Sequence, residues 1–504
     1  MKKIVKSVTA LLAAGALSVG MFAFAACDED DSEHTHSYGK PTWTWSSDNK
    51  TATATFTCTG CDDVQEIVAY STSQTEEATC TADGKTTYTA SVLLGGVTYT
   101  DCKEVTITSA GHTYDAVTYS TTDSKWYKTC SVCETATTEE VTAENLTGYT
   151  LLADSADALT TALAVGSVNI QLTANVEITA TNFAGTLYKE SETTATTAVI
   201  DVAGNKLTVS GSGTLFVTNG KSLTIKDSTN TDGTATKTNL VLNNNSGTGS
   251  CFNIQSNSCM TLDGMVVEST GCVLYPKGNA AQVNVNNSTI TTTGVYCVGT
   301  NSATVDNYNV VINITNSYLE CKASDGDSCP VLINVAGVLN ISDSEIVGQK
   351  QALVVRAGTA TVENTVINCV LDYSASDKSN VIGYTQGGSW GDGNNLAFGA
   401  VVVGDTKSNA YNADATCRLT GCTISCTTED SELADYAIAI YATNQDATYT
   451  TTVTIDSTTQ ISNGTLVNVN GGATMSGFDD YTVYNTFNTV WTYVAPTTDD
   501  TTTA

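Results

Sequence analysis

The chain has 504 residues, with 21 basic and 52 acidic side chains, a formal net charge of -31 and only two arginines, Arg356 and Arg418. That length supports two or more domains with real cores. So acidic a surface repels nucleic acid, which demands Lys and Arg for phosphate neutralisation, and also anionic membranes and polyuronates at long range.

Residues 1–27 read as an export signal. Lys2, Lys3 and Lys6 form a basic start, an apolar stretch runs from Leu11 to Ala26, and Asp28-Glu29-Asp30-Asp31 follows at once. The stretch is too short and wrongly flanked for a membrane span. Its ending, Phe24-Ala25-Ala26-Cys27, resembles the lipobox of bacterial lipoproteins. The resemblance implies that Cys27 becomes the new N-terminus and carries acyl chains, anchoring the chain to the outer face of the cell membrane. Stable anchoring takes two or more such chains. Export makes disulfides among the 17 cysteines admissible. Residues 28–35 form an acidic linker.

Two copies of a small module follow, 36–111 and a truncated one over 112–145. His36-Ser37-Tyr38 precedes Cys58-Thr59-Gly60-Cys61, and His112-Thr113-Tyr114 precedes Cys130-Ser131-Val132-Cys133. Alternating runs such as Thr51–Thr57 and Thr86–Val92 predict antiparallel strands, with Gly95-Gly96 as a hairpin turn. The text His36-Ser-Tyr, Trp43-Thr-Trp45, Glu77-Ala-Thr-Cys80 and Tyr99-Thr-Asp-Cys102 resembles a β module of Gram-positive anaerobe surface proteins. That implies surface display and no particular activity. All three histidines lie here, beside the CxxC pairs. A CxxC offers two thiolates on one turn, and structural zinc takes four Cys or His ligands. The candidates are His34, His36, Cys58, Cys61 and Cys80 in the first copy, and His112, Cys130 and Cys133 in the second, with Cys102 as a further ligand. A disulfide within each CxxC, or thiols, is the alternative.

Over 146–490 the pattern changes. Ala156–Val165 places Leu159, Ala162 and Leu163 on one helix face, capped by Asp154 or Ser155 and ended by Gly166. A phrase then recurs: apolar, any, apolar, any, Asn/Asp/Gly, usually Ser or Thr, any, apolar. It appears at Leu223–Ser228, with Asp227 at the turn position, at Val283–Ile290, Ile312–Leu319, Leu339–Ile346, Ala360–Ile367 and Cys417–Ile424, and more loosely at Met260–Gly264. Its turn position (Gly264, Asn287, Asn316, Asp343, Asn364) returns every 21 to 29 residues, the period of a solenoid. Two inward apolar residues make a strand, a residue tolerating left-handed backbone makes the bend, and the next apolar residue opens a neighbouring strand. The capping helix and this repeat resemble pectin-lyase-like proteins. The fold class is therefore all-β: a right-handed parallel β-helix with an N-terminal capping helix, preceded by small antiparallel β modules. Cys321, Cys369 and Cys426, each two residues beyond the final apolar position, should form one buried column. Cys321 and Cys329 bracket a loop that a disulfide would close.

The resemblance raises lyase or glycosidase chemistry. A lyase of that type uses an Arg or Lys base, and a glycosidase two or three carboxylates. The repeat contains no His, Asp263 and Asp343 stand apart, and the alternation of Gln351–Val355 turns Arg356 outward. Arg418 lies in a second strand. The longest interruption, about 371–400, carries Tyr384, Trp390 and Asp392, suited either to stacking on a sugar ring and bonding its hydroxyls or, as the alternative, to a loop tucked over the coil with Trp390 buried as a plug. Residues 491–504 are a polar tail. The function expected is a non-catalytic surface lipoprotein displaying a β-helix for adhesion or for binding glycans or host and cell-surface polymers. The alternatives are a polysaccharide lyase or glycoside hydrolase of the same fold, or a structural spacer.

Overall fold

A computed structural model describes residues 35–187, 197–217, 220–243, 250–300, 308–322, 329–371, 399–404, 413–428, 436–440, 451–468, 474–476 and 490–492. The chain forms two compact units, 1–111 and 112–504.

The first unit is one antiparallel sheet in chain order: β1 (Thr42–Trp45), β2 (Thr51–Thr57), β3 (Val64–Glu76), β4 (Gly84–Leu94) and β5 (Val97–Ile107). Period-two alternation decides which face is buried. Ala52, Ala54 and Phe56 of β2 point inward against Ala69, Ala90 and Val92, while the intervening threonines face out. The β4–β5 turn is Gly95-Gly96, with φ of 60° and 80°. Both glycines occupy the left-handed region that a tight hairpin turn of this hand requires.

The second unit begins with β6 (Ala116–Ser120), β7 (Lys125–Thr129) and β8 (Ala136–Val141), an antiparallel meander. β6 then pairs in parallel with β9 (Thr150–Ala153), and β9 with β10 (Val168–Leu172). The truncated module is thereby built onto the first strand of the repeat. The expected helix is present as α1 (Ala156–Leu163), with the Ser155 hydroxyl accepting from Ala158 N at 3.4 Å. Its buried face is Ala158, Leu159, Ala162 and Leu163. A second helix, α2 (Ala180–Leu187), follows β11 (Val176–Thr179) and was not signalled by the repeat.

From β10 to Thr474–Ser476 the described strands fall into three parallel ladders, each strand pairing with its counterpart one repeat later, and Val490–Thr492 closes the series by pairing antiparallel with Thr465–Asn468. One ladder aligns Ile170, Ile200, Ile225, Leu262, Val285, Ile314, Ile341, Val362, Leu419 and Ile455 in a single buried column. Another, of ten strands, aligns Val267, Ile290, Leu319, Ile346, Ile367, Ile424 and Ile461. The third aligns Leu274, Val298, Val331, Leu353, Val401 and Ile438. No rung buries its own apolar residues; stacking does it, at about 1.5–3 kcal/mol per fully buried side chain.

The bends between the first two ladders are where the sequence places them. Gly264, Asn287, Asn316, Asp343, Asn364 and Gly421 all have positive φ, between 47° and 68°. Asn and Asp tolerate this backbone better than other non-glycine residues. Their side chains bond from rung to rung: Asn316 Nδ2 donates to Asn287 Oδ1 at 2.9 Å, Asn287 to Asp263 at 3.1 Å, and Asn364 to Asp343 at 3.3 Å. The next residue forms a serine ladder, in which Ser288 N donates to Ser317 Oγ and Ser317 N to Ser344 Oγ, both at 3.1 Å.

The cysteine column is also present. Thr292, Cys321, Gly348, Cys369 and Cys426 occupy equivalent places, with Cys369 directly opposite Cys426. Burial pushes the Cys369 thiol well up from its ordinary pKa, as expected of a small core hydrophobe. The disulfide envisaged between Cys321 and Cys329 is not formed. Both thiols are buried, and they donate to different carbonyls, Gly294 O and Val331 O, each at 3.0 Å.

Arg356 corrects the expectation of an outward side chain. It is 1 % exposed and the largest fully buried side chain. Its strand carries one residue more than its neighbour at this point: Val355 faces Ile333 and Ala357 faces Asn334, leaving Arg356 in a bulge. A bulge breaks the period-two rule that made it read as outward. Arg418 does face out.

Candidate functional site: two His-Cys-Cys clusters

Each module copy brings one histidine over its CxxC pair. In the first, Tyr38 forms a lone antiparallel bridge with Cys58, and Thr59 N donates to Ser37 O at 2.8 Å. This folds the His36 strand back across the thiol turn. His36 Nδ1 comes within 3.3 Å of Cys61 Sγ. In the second, Cys130 N donates to Thr135 O at 3.1 Å and Glu134 N to Cys130 O at 2.8 Å, closing the turn. His112 Nδ1 lies 3.2 Å from Cys133 Sγ. The copies match further out, since His36 stacks beside Tyr38 and His112 beside Tyr114, with ring centroids 6.1 and 5.5 Å apart.

The ligand atoms of His36, Cys58 and Cys61 all lie within 4.8 Å of one another, as do those of His112, Cys130 and Cys133. Tetrahedral zinc, with bonds of about 2.1 Å to nitrogen and 2.3 Å to sulfur, separates its N and S ligands by about 3.6 Å. The observed N–S separations are a few tenths shorter, so both clusters fit a metal with little movement. Electrostatics points the same way in the second copy. Backbone donation from Cys133, then His112, lowers the Cys130 thiol to about 6. Cys130 and Cys133 in turn raise His112, against a smaller opposing effect of burial. In the first copy Cys61 is raised: a bond from the Asp63 backbone lowers it, but partial desolvation and the neighbouring Cys58 and Asp63 outweigh that. The Tyr38 hydroxyl donates to the Asp63 carboxylate, which holds its pKa up at about 12.

Of the other sequence-based ligands, Cys80 sits half-buried in the β3–β4 turn, outside the His36 cluster, and Cys102 lies exposed on β5, 3.5 Å from Thr89 Oγ1. His34, the anchor residue Cys27, and Tyr384, Trp390 and Asp392 lie outside the described residues.

On the repeat, Asp263 and Asp343 accept the ladder bonds described above and are parts of the bends. No motif announces a carboxylate pair on the outer face of the ten-stranded ladder. Glu320 and Glu345 stand on adjacent strands around Tyr318. Burial, then Glu320 and Glu345, raise the Tyr318 hydroxyl, and Lys322 Nζ lies 3.0 Å from Glu320. The pair belongs to two different repeats and sits at positions the recurring phrase leaves unspecified.

Comparison with known proteins finds no matching family, curated protein or solved structure.

Proposed function

We propose that the chain is a non-catalytic surface lipoprotein, held by acyl chains on Cys27, that displays a right-handed parallel β-helix for adhesion or glycan binding. Zinc-stabilised Cys/His modules precede the helix in this reading. The observation that carries it is how the outward polar residues of the stack are used. Asn340 donates to Asn313 and Asn313 to Asn284, each at 2.9 Å, and Asn284 donates to Thr261 at 3.2 Å. Together with Asp263 and Asp343 in the bends, these groups bond to one another from rung to rung. Such ladders stiffen an outer surface and leave it rich in amide and hydroxyl groups suited to neutral polymers. Arg356, the one Arg in the central rungs, is buried away from any polymer. The zinc part rests on the two His-Cys-Cys clusters. Anchoring rests on the Ala25-Ala26-Cys27 ending; no helix among the described residues is long and apolar enough to cross a membrane.

A glycoside hydrolase is the second reading, favoured by Glu320 and Glu345. Glycosidases need two carboxyl groups about 5–9.5 Å apart, and diagonal neighbours on adjacent strands have Cα atoms about 7–8 Å apart. Immobilised glycans exposed to the purified chain decide between them. Retention without product supports display. Product release lost in Glu320→Gln supports hydrolysis.

A further inference from the structure

Among the described residues the longest departure from the repeat is the segment 228–239, between strands Ser222–Lys226 and Leu240–Asn243. It does not bulge away from the stack. Asn230, itself buried, donates to Gly264 O at 2.7 Å and accepts from Ala235 N at 2.9 Å. Asp232 accepts from Thr234 N and Oγ1. Asn316 Nδ2 reaches the Asp232 carbonyl at 3.4 Å, and a Cβ on Gly233 would meet Asn287 O at 3.0 Å. The segment therefore runs along the column of bends for several rungs, as a wall beside the outer face of the ten-stranded ladder.

Between this wall and that face lies a groove of about 470 Å³. Val241 and Val266 give its floor an apolar character, Thr238 and Thr291 contribute hydroxyls, and Glu268 and Lys322 line it as well. Thr238 Oγ1 donates to Glu268 Oε1 at 2.6 Å, so the wall fixes the carboxylate. Lys322 is neutralised by Glu320. Val241, Glu268 and Thr291 are successive members of one column, spaced by the strand separation of about 4.8 Å.

We propose that this groove binds a neutral polysaccharide strand lying along the stack; the proposal rests on the glycan-binding reading above and names its site. A sugar ring offers an apolar C–H face and a rim of hydroxyls. The valines match the face. The threonines and the Glu268 carboxylate match the rim, a carboxylate being able to accept from two neighbouring hydroxyls. The only cation in the groove is held by its own carboxylate, and the net charge is -31. A polyanion is repelled, and an uncharged polymer loses nothing on approach.

The test uses the full chain with neutral hexasaccharides of glucose, mannose, galactose and xylose, a hexagalacturonate and a hexalysine peptide, measured by titration calorimetry. Thr291→Trp fills the groove, Glu268→Gln removes the charge without changing shape, and Thr224→Trp places the same bulk on a different ladder. The expected result is binding of at least one neutral hexasaccharide, weakened tenfold or more by Thr291→Trp and severalfold by Glu268→Gln, and unchanged by Thr224→Trp. Binding that survives both groove variants, or that is lost only in Trp390→Ala, overturns the groove and leaves glycan binding standing. Binding of the galacturonate or of hexalysine alone overturns the ligand class. No binding of any saccharide by the unmodified chain overturns the glycan-binding reading itself.

Discussion

At the scale of single residues, two Asp-Ser-Thr turns repeat one device. Asp227 Oδ1 accepts from Gly204 N at 3.0 Å and Thr229 N at 2.9 Å; Asp456 Oδ1 accepts from Gly421 N at 3.1 Å and Thr459 N at 3.0 Å. Each carboxylate thus ties its own turn to a glycine bend of the preceding rung. The Thr458 hydroxyl, outweighing a partial burial effect, helps hold Asp456 down at about 2, from an ordinary 3.8. For Asp227 burial works the other way, yet the bonds from Thr229, Asn239 and Gly204 prevail and its pKa is also lowered. A carboxyl with a depressed folded pKa stabilises above its unfolded value and loses that contribution as protons bind. The last rungs should therefore loosen as pH falls from about 4 toward 2. Asp456→Asn should be less stable than the parent at pH 7, with the difference shrinking across that interval in thermal melts read by circular dichroism. A pH-independent difference would contradict this. Residues that obey local backbone rules were legible from sequence: Asn287, Asn316, Asp343 and Asn364, expected at bends of the recurring phrase, have positive φ, whereas Asp227, expected at the same position, does not and instead anchors its turn through its carboxylate. Arg356 was not, because its strand is buried on both faces from Gln351 to Ala357, so alternation there says nothing about exposure, and a one-residue bulge interrupts the register as well.

At the scale of elements, the repeat was visible through one of its three strands and the bend after it. The third ladder escaped notice. Its strands, such as Gly399–Val403, are buried on both faces and carry neither alternation nor a turn residue. The segments flanking them vary in length, which blurs the period. Stacking makes each core position answerable to two neighbours. Leu319 is fully buried between Ile290 and Ile346. Leu319→Ala should cost about 2–5 kcal/mol, seen as a lower midpoint in urea unfolding; a loss under 1 kcal/mol would contradict tight packing of that column. The modules pose a different question. The pairing of each histidine with its CxxC was legible as a repeated spacing, whereas membership of Cys80 was not, since a turn cysteine's direction depends on the sheet around it. The reduced chain should hold close to two zinc ions, by elemental analysis, and Cys61→Ser and Cys130→Ser should each remove about one. A disulfide inside either CxxC, found by mass spectrometry of protein prepared without reductant and without metal loss on chelation, would retire the idea.

At the scale of the whole molecule, the function proposed above sets an acyl anchor on Cys27 and metal-holding modules ahead of a parallel stack that turns amide and hydroxyl groups outward, in a chain of net charge -31. Cys27→Ala should leave the chain unacylated, moving it from the detergent phase to the aqueous phase in a partition assay. Retention in the detergent phase would contradict the anchor. The central claim is that this surface binds without cutting. Acid–base catalysis typically contributes 10² to 10⁴-fold and needs groups within hydrogen-bond reach of the bond being broken. The described rungs place Asp263 and Asp343 in bends and Arg356 in the core, leaving Glu320 and Glu345 as the pair to watch. The most direct measurement incubates purified chain with polygalacturonate, alginate and neutral plant glycans, with and without Ca²⁺, and follows reducing ends and unsaturated-uronate absorbance. Neither should rise above the protein-free control. A rise that Glu320→Gln or Glu345→Gln abolishes would contradict that claim and make the chain an enzyme.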